Sequence, residues 1–232
     1  MSILETPRSS NDSNGNGYGG DGNDGIESDT AEVLPWWRNP VNVVVIAIAV
    51  AVLAGAAGLV IGNNRALADP NATDVGFLQD MRVHHEQAVQ MGLLFLDRPD
   101  TEPALQTIAR EVVVGQNIEI GRMIQMLRGF GESEVNESDT AMSWMGHPVE
   151  SAKMPGMATQ DQLRSLATAS GSEANEIFVT LMSAHHQGGV HMAEQAADAA
   201  GNDDVRLMAR QIAAGQRHEI DEMNTLLARS AA

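Results

Sequence analysis

The sequence predicts an all-α, internally duplicated four-helix bundle preceded by one transmembrane helix, and three observations predict it. The aromatic fraction is 3% while Met reaches 13 residues, a composition that packs helices through Leu, Ala, Val and Met rather than building a sheet. Residues 41–61 are an apolar run with Asn42 as its one polar interruption, close to the roughly 20 residues a helix needs to cross a bilayer. From Val75 onward the chain repeats itself at a spacing of 100 to 101 residues, the mark of a duplicated structural unit.

Residues 1–40 read as a disordered acidic tail, because the Ser, Asn, Asp and Gly that dominate them bury too little apolar surface to offset the entropy of ordering. Trp36 and Trp37, with Arg38 beside them, stand where an aromatic belt would lie. The run 41–61 has no polar stripe of the kind a core helix shows, so a lipid bilayer is one expected partner. Ala66-Leu67-Ala68 resembles a signal peptidase site, but an apolar run this long after forty residues suits an uncleaved anchor better. Arg38 and Arg65 nearly balance the positive-inside rule. The reading adopted places the tail inside and the domain outside the cytoplasm.

After a linker at 62–72, the first helical hairpin spans 73–131. Thr73 or Asp74 caps its first helix, which runs to about Leu96; Asp100-Thr101-Glu102-Pro103 opens its second, and Gly129 and Gly131 end it. A Met-rich connection occupies 132–171, with a short helix from Thr159 to Ala169. The second hairpin fills 172–232 and turns at Gly201-Asn202-Asp203. Short turns make each hairpin antiparallel, and two hairpins bury their apolar faces against each other as a bundle.

The repeat singles out the residues that carry chemistry. Phe77, Met81, His84, His85 and Met91 recur 101 residues later as Phe178, Met182, His185, His186 and Met192. Gly115, Gln116, Glu119, Ile120 and Met123 recur 100 residues later as Gly215, Gln216, Glu219, Ile220 and Met223. At about 100° per residue the two histidines of each pair flank one apolar stripe, and Met81 and Met182 sit one turn before them. Gln116, Glu119, Ile120 and Met123 share one face of the partner helix, so a carboxylate and a thioether face the interior beside the histidines. Gly115 and Gly215 each cost roughly 1 kcal/mol of helix stability against Ala, which predicts a close helix approach there. His191 and His218 fall on outer faces and are expected in solvent. His147 belongs to the connection, where Met142, Met145, Met154 and Met157 gather around Trp144; that segment reads either as a copper-collecting loop or as an apolar strap.

With no cysteine, any soft ligand must be Met or His. A formal charge of −17 argues against nucleic acid as a partner, since phosphate binding runs on Lys and Arg, and favours small cations. Met at helical spacing fills cores, and an interior His can be satisfied by Gln116 or Glu119 through a hydrogen bond. Two adjacent pairs of bulky polar rings at matching places are harder to explain by packing. Imidazole with thioether is a soft-metal ligand set. The candidate metal ligands are Met81, His84, His85, Met91, Glu119 and Met123, with Met182, His185, His186, Met192, Glu219 and Met223. No catalytic residue is assigned.

The Met-x-x-His-His-x-x-Ala/Gly element followed by Gly-Gln-x-x-Glu-Ile-x-x-Met resembles the bacterial domain-of-unknown-function family three hundred and five. The likeness covers about residues 73–227, including both repeats and the Met154-Pro155-Gly156-Met157 run. It implies a ferritin-like helical domain, exported or membrane-anchored, with copper or silver binding and resistance in some members. Ferritin-like di-iron proteins draw on Glu-x-x-His elements; none is present here, which speaks against oxidase chemistry. Copper, as Cu(I), is the favoured ion, with Zn, Mn or Fe as alternatives. The leading reading is a membrane-anchored, extracytoplasmic copper-binding protein acting in sequestration or metal tolerance. The rival is a scaffold whose histidines form a hydrogen-bond network, and a metal-dependent redox enzyme comes third.

Overall fold

A computed structural model describes residues 35–65 and 70–230. The tail expected before residue 35 and the peptidase-like Ala66-Leu67-Ala68 lie outside the described residues. Trp36–Arg38, expected in the tail, form a 3-10 turn, and α1 follows from Pro40 to Arg65. Asn39 starts α1 by accepting the amide of Val41 through its side chain. The helix outruns its expected end at Ile61 because residues 62–65 contain no proline to stop it, the next being Pro70. Its stretch Pro40–Leu59 is long and apolar enough to cross a membrane, and none of it is buried.

The second unit is a helical bundle of α2 (Ala72–Leu96), α3 (Pro103–Phe130), a short α4 (Gln160–Thr168), α5 (Gly171–Ala199) and α6 (Asp203–Ser230). The cap of α2 is two or three residues earlier than expected: Asn71 accepts from the Asp74 amide while Asp74 accepts from the Asn71 amide, a reciprocal capping box. Pro103 opens α3 at its first position, and Gly131 closes it in the left-handed conformation at φ 75°. Gly129 lies within the helix. Thr159 and Gln162 form a second capping box at the expected short helix α4. The connection also holds a two-stranded ribbon, β1 (Thr140–Ala141) with β2 (Val149–Glu150), too short to leave a periodic signal in the sequence.

The two hairpins clasp each other reciprocally. Asp74 at the start of α2 accepts hydrogen bonds from the Gly201 and Asn202 amides of the α5–α6 turn. Asn175, which stands 101 residues later in the repeat, accepts from the Glu102 amide at the α2–α3 turn. Each helix start therefore grips the other hairpin's turn, so α2 and α5 run antiparallel through the middle of the bundle. Two apolar cores result. One gathers Phe77, Met81, Met123, Leu127, Met192 and Met208; the other gathers Met91, Phe95, Leu105, Phe178, Met182 and Met223. In the second core Phe95 and Phe178 stack with ring centroids 4.1 Å apart.

The connection is an apolar strap lying on the bundle. Met142 and Met154 are buried in the first core, with Trp144, Met145 and Met157 packed against it. Asp80 on α2 anchors the strap, accepting from the Met142 amide at 2.7 Å and from the Trp144 indole at 2.9 Å. Gln87 holds its far end through both the amide and the carbonyl of Ala158.

Candidate metal centre

Along α2 the chain passes from Met81 in the first core to Ala88 and Met91 in the second, and along α5 from Met182 in the second core to Met192 in the first. His84, His85, His185 and His186 lie between the cores on both helices. All four are fully buried, in the interior rather than at the margin of the stripe. Antiparallel packing brings the inner pair together: the rings of His84 and His185 stack with centroids 3.7 Å apart and planes 29° from parallel. His186 is inclined to His185 at 6.2 Å.

Each outer histidine is oriented from the partner helix of its own hairpin. His85 Nε2 donates to Glu119 Oε2 at 2.8 Å, and His186 Nε2 donates to Glu219 Oε2 at 2.7 Å. The inner His84 donates through Nε2 to the Pro155 carbonyl of the strap at 3.0 Å. His185 has no such partner, because the strap occurs once in a chain whose hairpins occur twice. Burial pushes His84 down from its ordinary value of 6.5 to about 3, the Pro155 carbonyl opposing this and His85 and His186 reinforcing it. Burial, then His84, His186 and His85, also hold His185 well below its ordinary value. The inner pair is neutral at physiological pH, the form in which imidazole offers a lone pair to a metal.

The unpaired atoms are as informative as the paired ones. Nδ1 of His84, His85 and His186, both ring nitrogens of His185, and both amide atoms of Gln116 and Gln216 are buried without a hydrogen-bond partner. A buried polar atom left this way costs about 1–3 kcal/mol, so this layer is polar beyond what the chain itself satisfies. On rings whose Nε2–H is already donated, the atom without a partner is the one bearing the lone pair. A carboxylate behind a histidine whose other nitrogen is free is the support that metal-ligating histidines receive.

The sequence-selected residues divide into two groups. Met81, Met91, Met123, Met182, Met192 and Met223 are all fully buried. They form two repeat-related trios: Met81, Met123 and Met192 in one core, Met182, Met223 and Met91 in the other. Glu119 and Glu219 are partly exposed and are engaged by the histidines. Among the described residues, no three His, Asp or Glu side chains converge so as to hold an ion by themselves. His191 and His218 are exposed, as their positions predicted, and His147 in the connection is exposed as well. Asp80 and Gln87 were not legible as strap anchors, since their repeat positions carry Leu181 and Gly188.

Gly115 and Gly215 do not mark a close helix approach: a Cβ at either would meet nothing within 4 Å. They line a small recess of about 70 Å³ together with Gln116, Glu119, Ile212, Gln216 and Glu219. Gly188 and Gly156 are packed against backbone, where a Cβ would overlap the Pro155 carbonyl and the Ala184 carbonyl respectively, while Gly76, Gly92 and Gly189 are packed against the side chains of Trp144, Val113 and Gln216.

Known proteins resemble this chain through the bundle. A DUF305 protein from Streptomyces coelicolor is 35% identical, with a TM-score of 0.62 over 69% of this chain and 93% of its own. A DUF305 fragment from Deinococcus radiodurans is 30% identical, with a TM-score of 0.59 over 70% and 99%. CopM in its Cu(I)-bound form is 25% identical, with a TM-score of 0.52 over 70% and 100%. No curated protein matches. The family model described as a domain of unknown function, DUF305, matches residues 74–227, and the chain belongs to that family.

Proposed function

We propose that this protein is a membrane-anchored, extracytoplasmic copper-binding protein that sequesters Cu(I) in the histidine layer of its bundle. The observation that carries the reading is the set of buried ring nitrogens without partners, bounded on both sides by fully buried methionine trios. Two of His84, His85, His185 and His186 would hold an ion at a time, with Met81 and Met182 nearest in sequence and Met91, Met123, Met192 and Met223 completing the soft surroundings. Thioether and imidazole favour Cu(I) over harder ions that prefer oxygen. Glu119 and Glu219 would act behind the histidines, fixing ring orientation and raising donor strength, rather than as ligands. The Cu(I)-bound CopM structure, 25% identical, lends the ion its identity. The apolar stretch Pro40–Leu59 would hold the domain at the membrane.

A scaffold reading is favoured by one observation: three of the four histidines already donate a hydrogen bond, and buried water could satisfy the remaining atoms. The two readings part in a direct experiment. Full-length protein purified in detergent, without an affinity tag, is titrated with Cu(I) against a chromophoric chelator, alongside a variant with His84, His85, His185 and His186 all changed to Gln. Copper binding that disappears in the variant while helicity persists supports the site; equal binding by both proteins removes it. A wild type that binds no metal, beside a variant that unfolds, makes the histidines a structural network.

A further inference from the structure

The geometry points to a passage for the ion between α3 and α6, the polar recess of Gly115, Gln116, Glu119, Gly215, Gln216 and Glu219, with the two glycines serving to keep it open. This inference rests on the copper-binding reading above and adds the route by which that layer exchanges with solvent.

Both ends of the histidine layer and its α2–α5 face are closed. Toward one end lies the core of Phe77, Met81, Met123 and Met192, and toward the other the core of Phe95, Phe178 and Met182. On the α2–α5 face the strap seals the layer, with the Pro155 carbonyl bonded to His84 Nε2 and set so tightly over Gly188 that even a Cβ there would overlap it. Opposite the strap, between α3 and α6, is the recess. Gly115 and Gly215 are exposed at its edge, and its volume of about 70 Å³ has room for about two waters or a small cation.

The lining suits a cation on the way in. Gln116 and Gln216 are only 3% and 4% exposed, and both atoms of each amide are without a partner. Their carbonyl oxygens are thus available to replace water around an ion that is shedding its hydration shell. Glu119 and Glu219 line the same recess and supply the negative field that concentrates cations at an opening. Each also accepts from His85 or His186, so the carboxylates span from the recess to the histidine layer. Glycine within a helix is costly, and here neither a close approach nor a positive φ requires it. A clear opening accounts for glycine at both repeat positions.

The test separates rate from affinity. In the full-length protein in detergent, Gly115→Leu/Gly215→Leu places side chains over the recess, and Gly115→Ala/Gly215→Ala is a smaller plug. Cu(I) is supplied as its bicinchoninate complex, and release is followed by the colour regained when excess bicinchoninate is added to loaded protein. The Leu pair should slow both uptake and release by roughly tenfold or more while leaving Kd unchanged within about twofold, since a narrowed passage raises one barrier for both directions. The Ala pair should fall between, and thermal melting should show both variants folded. Gln87→Ala, which frees the strap, should change neither rate. Rates unchanged in the Leu pair, or rates raised by Gln87→Ala, overturn the passage while leaving the copper site intact. Absence of Cu(I) binding at equilibrium in the wild type overturns the site itself, and the passage with it.

Discussion

Acid should destabilise the metal-free bundle earlier than its carboxylates alone would. His84 is held at about 3 in the folded protein against 6.5 ordinarily, and His185 also lies well below 6.5. A folded value depressed below the unfolded one means that, as pH falls through 6.5, the unfolded chain takes up a proton the folded chain refuses. Stability is therefore complete above pH 6.5 and is lost progressively toward pH 3. Between pH 7 and pH 5 His84 removes about 2 kcal/mol, and His185 acts in the same direction. This is a large share of the roughly 5–15 kcal/mol that holds an ordinary domain together. The window is chosen because Asp and Glu titrate at about 4 in unfolded chains and contribute little above pH 5. Asp80, raised by burial against the opposing bonds of Met142, Trp144 and Asn136, works in the opposite sense: it favours the folded state as pH falls through its folded value. The measurement is urea unfolding of chelator-treated protein followed by circular dichroism at several pH values from 7.5 to 5. His84→Gln/His185→Gln should flatten the dependence. Wild-type stability unchanged over that range would refute neutral burial of the pair.

Two further outcomes are expected. Met81→Leu/Met182→Leu keeps volume and apolarity and should cost less than about 1.5 kcal/mol in a thermal melt, yet weaken Cu(I) binding by roughly tenfold or more through loss of the thioethers; unchanged affinity would confine those methionines to packing. Gly188→Ala drives a methyl into the Pro155 carbonyl and should destabilise by about 1–3 kcal/mol, with faster proteolytic cleavage within residues 132–158; a strap as resistant as the wild type's would contradict its tight seating.

Much of this architecture was legible because duplication writes each important residue twice. The recurrence of Phe77, Met81, His84 and His85 as Phe178, Met182, His185 and His186 identified the buried face, and the helical angle put the histidines beside the apolar stripe. What the repeat did not reveal were features that occur once. Asp80 and Gln87 anchor the strap but face Leu181 and Gly188 in the repeat, so nothing in the periodicity selected them. The glycines misled for a related reason. Glycine in a helix signals either near contact or empty space, and sequence alone does not distinguish them: Gly188 is the first kind and Gly115 the second. Glu119 and Glu219 were correctly placed on the inner face, but their engagement with His85 and His186 depends on the crossing of two helices.

The single strap also explains why a duplicated bundle need not have two equivalent histidine faces. Repeat symmetry relates His84 to His185, and left alone the two would have identical surroundings. The connection joins the end of one hairpin to the start of the other, so it can cover only one face of the layer. Where it crosses, α2 supplies polar anchors at Asp80 and Gln87 and α5 supplies clearance at Gly188. His84 thereby gains a carbonyl acceptor, while His185 keeps both nitrogens free. Two of the positions at which the repeats differ, Asp80/Leu181 and Gln87/Gly188, thus lie where the unique segment crosses. Three residues that the repeats share, Gly115, Gln116 and Glu119 with their counterparts Gly215, Gln216 and Glu219, line the face the strap leaves uncovered. Departure from symmetry closes one side of the histidine layer, and retention of symmetry keeps the opposite side polar and open.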